Sequence, residues 1–161
     1  MNTLVYPHAL KFVAAVTRAL DTLASAAREQ GRYPAGYFTV RSRRDNTLAL
    51  LMPFGDGVAE HTNPEKYVGW RDKALEKGDR LFNNPGHVSS WQSRDPEKKK
   101  YGGAIAVGDY ILTFSGLPEA LDEALCALVA LDMGIADAQT VQKIFEVSGN
   151  AEGQRFLAQI K

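Results

Sequence analysis

Gly102-Gly103-Ala104-Ile105-Ala106-Val107-Gly108-Asp109-Tyr110-Ile111-Leu112-Thr113-Phe114-Ser115-Gly116-Leu117-Pro118 is the stretch that decides the fold. Two apolar runs, Ala104 to Val107 and Tyr110 to Phe114, are separated by Gly108-Asp109, residues that tolerate the positive φ angles of a tight hairpin turn. The segment therefore reads as a β-hairpin. Ser115-Gly116-Leu117-Pro118 then opens a helix, because Pro118 needs no amide donor at a first helical position and Glu119, Asp122 and Glu123 suit the positive end of the helix dipole. From Leu121 to Met133 nearly every residue that is not acidic is apolar, which makes this helix part of the core.

Upstream, Leu4 to Tyr6 reads as a short edge strand or a lead-in. Pro7 starts a helix running to about Gln30, with Leu10, Val13, Val16, Leu20, Leu23 and Ala27 at helical spacing and Gly31 as its stop. Tyr37 to Arg41 alternates bulky and polar residues, as a half-buried strand does, and Arg44-Asp45-Asn46 turns the chain into a more continuously apolar strand, Thr47 to Phe54. Asn63-Pro64 begins a middle helix ending near Phe82. Its expected core face is Tyr67, Val68, Trp70, Ala74, Leu75, Leu81 and Phe82, with Arg71, Lys73, Glu76 and Lys77 outside and a break allowed at Gly78.

Asn83 to Tyr101 is the longest irregular segment, and loops of that length in compact domains are mobile or functional. Asp137 to Val147 and Ala151 to Ile160 read as two further helices, separated by Ser148-Gly149-Asn150. The expected fold is α+β: a small antiparallel β-sheet of two hairpins, packed by a long N-terminal helix, a middle helix and C-terminal helices. Residues 1–161 form one domain in this reading, with 135–161 a C-terminal helical extension that packs on its own domain or on a neighbouring subunit.

Lys plus Arg (19) balance Asp plus Glu (19), so no net field attracts nucleic acid or an anionic membrane. Neutrality also leaves little charge to keep copies apart, which is compatible with oligomerisation. The N-terminus lacks a basic start followed by a long apolar run, and no apolar stretch reaches the ~20 residues of a membrane span, so the chain is read as cytoplasmic. The single cysteine, Cys126, falls on the apolar helix as a buried small hydrophobe.

His8, His61 and His87 are not paired with one another or with Cys126 at zinc-site spacings, so no metal site is expected. Pro85-Gly86-His87-Val88-Ser89-Ser90-Trp91 sets an imidazole close to an indole on a loop, with Tyr101 and Trp70 as further rings. Such a loop either holds a flat apolar ligand and ligates a metal centre axially through His87 or His61, or is pinned by Trp91 with His87 on the surface. Gly102-Gly103 either lets the backbone approach a ligand or permits the turn into the strand. Ser115 lacks the preceding glycine of a nucleophile elbow and is expected to cap the helix or satisfy a strand-end amide. Asp122 and Glu123, adjacent on a helix, diverge and make no acid/base pair. There is no GxxxxGK or GxGxxG motif.

Gly102-Gly103, Ser115-Gly116 and Asp122-Glu123-Ala124 resemble the closing part of the GlcG/HbpS-like family, which includes the C-terminal domain of PduO-type proteins. The order helix, hairpin, helix, loop, Gly-Gly, hairpin, helix over Leu4 to Met133 also matches that family. The resemblance implies a small antiparallel sheet with packed helices, assembly into oligomers and, as in several members, haem binding without an enzymatic role. The chain departs from the family at Ala104-Ile105-Ala106, at Tyr110 and Thr113, and at Leu117-Pro118, where bulkier residues stand. The resulting expectation is a non-enzymatic oligomeric small-ligand-binding protein, haem being the candidate cofactor. His87, His61, Trp91, Tyr101, Gly102, Gly103 and Ser115 are the expected binding residues, with no catalytic residue. The alternative is a structural or interaction module without a small-molecule ligand.

Overall fold

The structure is a computed structural model that describes residues 6–55 and 64–160. Its elements run α1 (Tyr6–Glu29), β1 (Gly36–Ser42), β2 (Leu48–Phe54), α2 (Pro64–Phe82), β3 (Ala104–Val107), β4 (Tyr110–Ser115), α3 (Glu119–Asp132), α4 (Ala138–Ser148) and α5 (Ala151–Ile160). The four strands form one antiparallel sheet in the order β2-β1-β4-β3. The fold is α+β, as expected. Leu4 and Val5 lie outside the described residues, and Tyr6 already belongs to α1.

Because successive strand residues face opposite sides, the two inner strands divide their side chains between two helical layers. Phe38, Val40, Ile105, Val107, Leu112 and Phe114 join α1, α3, α4 and α5 in the main core. On the other face Tyr37 packs with Trp70 and Ala74 of α2, and Ala104, Ala106 and Ile111 pack with Leu81. This two-sided cover corrects the reading of the first hairpin. β1 is buried along its whole length rather than half-buried, because it is central, whereas the more apolar β2 is the edge strand and stays largely part-exposed.

Three helix residues are also corrected. Leu10 is 49% exposed, since the α1 stripe runs through Phe12, Ala15, Val16, Ala19, Leu20, Leu23 and Ala27. Val68 is 40% exposed, and Lys77, expected on the outside of α2, is 2% exposed. Gly78 does not interrupt α2; a Cβ there would stand 2.8 Å from Arg41 Nε and 3.1 Å from Thr113 Oγ1, so glycine lets the helix lie close to the sheet. The C-terminal helices pack on their own domain through Val141, Ile144, Phe145 and Leu157. Asp137 caps α4 by accepting from Thr140 N at 2.8 Å, and Asn150 Oδ1 accepts from Gly153 N at the start of α5 at 2.8 Å.

The long segment from Asn83 to Tyr101 is built rather than irregular. It contains two short 3-10 turns, Ser90–Ser93 and Pro96–Lys98, and runs along the outer edge of β3, where Ala106 N donates to Val88 O at 2.9 Å and Ala104 N to Ser90 Oγ at 3.0 Å. Arg80 of α2 holds it. Its buried guanidinium donates to Ser90 O at 2.8 Å, Ser93 Oγ at 2.6 Å and Tyr101 O, and pairs with Glu76 Oε1 at 2.7 Å. Replacing Arg80 by Met takes the donor from Tyr101 O and leaves Ser90 O with only the long bond from Ser93 Oγ, 3.5 Å. The expected loss is about 3 kcal/mol in urea unfolding, with faster amide exchange over Ser90–Arg94. Unchanged stability and exchange would mean that the loop is held by something else.

Candidate functional site

Lys77 falls one turn after Ala74 and one turn before Leu81, on the face of α2 that meets the sheet. Its side chain runs past the end of β4, where Nζ donates to Asp122 Oδ2 at 2.8 Å and to Phe114 O at 3.0 Å. The two charged side chains are 2% and 3% exposed. Asp122 Oδ1 in turn accepts from Leu117 N at 2.9 Å, so this carboxylate, not Ser115, secures the turn into α3. Burial pushes the Asp122 carboxyl up to about 6, against the charge and hydrogen bond of Lys77 and the Leu117 amide, which pull it down. Gly103 lies against the pair with φ +120°; a Cβ there would come within 2.7 Å of both Asp122 Cβ and Lys77 Nζ.

An ammonium has three donors, and the pair uses two of those on Lys77. Lys77 also lines a cleft of about 310 Å³ between α2 and the β4–α3 connection. Its cations are Arg32, Lys73, Lys77 and Arg94, against the two carboxylates Glu119 and Asp122. Trp70 and Tyr101 supply flat walls, with Lys73 Nζ 5.3 Å from the Tyr101 ring centre. Pro118 and Glu119 bring the start of α3 to the cleft; Leu121 N and Asp122 N both donate to Pro118 O at 2.9 Å, while the first helical amides have no intrahelical partner. Positive potential from the helix therefore adds to that of the side chains. The Lys73 ammonium is held below its ordinary value, first by partial burial and then by the charges of Lys77, Arg32 and Lys99.

Glu123 faces elsewhere, as the sequence anticipated for two adjacent acids. It accepts from Ser89 Oγ, from Ser148 Oγ at 2.6 Å and from Asn150 Nδ2 at 3.0 Å, joining the loop and the C-terminal helices to α3. Burial pushes this carboxyl up while its donors pull it down. Burial likewise raises the Cys126 thiol well above its usual value, so it is inert at neutral pH.

Of the residues expected to bind, Tyr101 and Ser115 line the cleft and Gly103 lies beneath it. Trp91 and Gly102 sit one layer back: a Cβ on Gly102 would meet Trp91 Nε1 at 2.3 Å, and Arg94 lies over the Trp91 ring, 4.9 Å from its centre, while pairing with Glu119 at 2.8 Å. His87 is not in the cleft lining; it is half-buried, its backbone N donates to Asn84 O, and its Nδ1 is buried without a partner. His61 lies outside the described residues. The residues that sequence reasoning missed are Lys77, Asp122, Arg32, Lys73 and Arg94. Lys77 alone left a signal, a lysine at a core-facing helical position.

Fold and site define an α+β domain with a cation-lined cleft beside the sheet. No protein-family model, curated protein or solved structure matches the chain. Among the described residues, no helix is long and apolar enough to cross a membrane, and no group of three His, Cys, Asp or Glu side chains is placed to hold a metal ion.

Since the Asp122 value in the folded chain lies above the ordinary 3.8, its protonation favours folding. That contribution is complete below the ordinary value and is lost as pH rises through about 6. In urea unfolding across this range, wild type should lose roughly 2–3 kcal/mol relative to Asp122→Asn as pH rises. A difference that stays flat with pH would remove the assignment.

Proposed function

We propose that the chain is a non-enzymatic small-ligand-binding protein whose ligand lies in the Lys77 cleft, anchored by an anionic group and covered by flat rings. The observation that carries this reading is Lys77 itself: a 2%-exposed ammonium at the floor of a cleft, with one donor left after its two internal hydrogen bonds. An incoming carboxylate or phosphate oxygen would take a charge-assisted bond from this ammonium. The unpaired start of α3 favours the same sign of charge.

Haem, put forward by the family resemblance, would bring carboxylates and a flat ring. Among the described residues, the cleft lining contains no histidine, cysteine or methionine. His87 stands apart from it, so no axial ligand is assigned and haem enters this reading only as an anionic, planar candidate. Ser115 lines the cleft.

Benzoate, the simplest flat carboxylate, tests the reading by calorimetric titration at low salt, with haemin followed in parallel by visible absorption. Saturable binding of benzoate at one site per chain is expected. Lys77→Met combined with Asp122→Asn keeps the Leu117 acceptor and removes the buried charge, and should weaken benzoate by about tenfold or more. Equal affinity in a folded double variant, or no saturable binding by the wild type, would overturn the proposal.

A further inference from the structure

Lys73 and Lys77 are four residues apart on α2 and line the same cleft. Like charges at this spacing on a helix repel, and only one of the two has an anionic partner. Lys77 is matched by Asp122 and Arg94 by Glu119, whereas Lys73 and Arg32 have no ion pair among the described residues.

The cleft thus has an inner cation at its floor and an unmatched outer cluster, one helical turn apart. A turn is about 5.4 Å along the helix axis, the scale of one aromatic ring. Trp70 and Tyr101 line the same cleft as flat surfaces.

We infer that the ligand is a dianion with its two anionic groups at opposite ends of one flat ring: the inner group on Lys77 and the start of α3, the outer group on Lys73 and Arg32. This rests on the binding reading above and adds the second charge and its spacing. Either two carboxylates or a carboxylate and a phosphate satisfy the chemistry.

Calorimetric titration of the full chain at low salt with benzoate, terephthalate and phenyl phosphate separates the possibilities. Terephthalate, with carboxylates at both ends of the ring, should bind about tenfold more tightly than benzoate. Phenyl phosphate, a dianion with both charges at one end, should fall short of terephthalate. In Lys73→Met, an exposed position whose change leaves the core intact, the terephthalate-to-benzoate ratio should collapse to roughly threefold or less. Benzoate binding with no terephthalate advantage, an advantage retained in Lys73→Met, or phenyl phosphate equalling terephthalate would each overturn the two-ended ligand while leaving the anion site standing. Failure of all three probes to bind would remove both.

Discussion

A single buried ion pair, Lys77 with Asp122, ties the three parts of the domain that form the cleft. α2 contributes the ammonium, β4 the Phe114 carbonyl that shares it, and α3 the carboxylate that also holds the Leu117 amide. Gly103 follows from the same constraint, since only a residue without a Cβ fits against both charged groups. Buried ion pairs add little net stability compared with apolar residues of similar volume, yet removing one partner is strongly destabilising. Stability alone therefore does not explain this pair. It fixes an ammonium at depth, oriented by two acceptors, with one donor to spare.

The neighbouring acid shows how burial divides roles. Asp122 and Glu123 are consecutive, both deeply buried, and both raised by desolvation. One faces a cation and the cleft; the other faces two hydroxyls and an amide, and serves as a latch between the loop and the C-terminal helices. Arg80 plays the matching part from α2, so the segment that carries Tyr101 and Arg94 to the cleft is anchored from two directions.

What the sequence made legible was local. The Gly108-Asp109 hairpin, the apolar α3, the helix stops at Gly31 and Gly149 and the two-hairpin α+β order all rest on short-range periodicity and turn chemistry. Which strand lies at the centre is a tertiary fact: β1 alternates like a half-exposed strand but its polar residues, Thr39 and Arg41, are covered by α2. The site was hidden by a sound general rule. Charged residues on an amphipathic helix normally face water, so Lys77 was assigned outside although its spacing from Trp70, Ala74 and Leu81 put it on the inner face. Attention to histidines and to the Gly-Gly and Ser-Gly pairs found the neighbourhood, through Tyr101, Gly103 and Ser115, but not the cations, which come together only through the packing of α2 on the β4–α3 connection.

The central claim is that the spare donor of Lys77 receives an anion. The most direct measurement is the ¹H–¹⁵N resonance of the Lys77 ammonium, assigned through its loss in Lys77→Met and followed as benzoate is added. Shielded from solvent, this ammonium should give a slowly exchanging signal whose shift moves saturably with benzoate, in step with amides at Leu117 and Glu119. A Lys77 signal that stays in place while benzoate saturates the protein would place the ligand elsewhere and contradict the account.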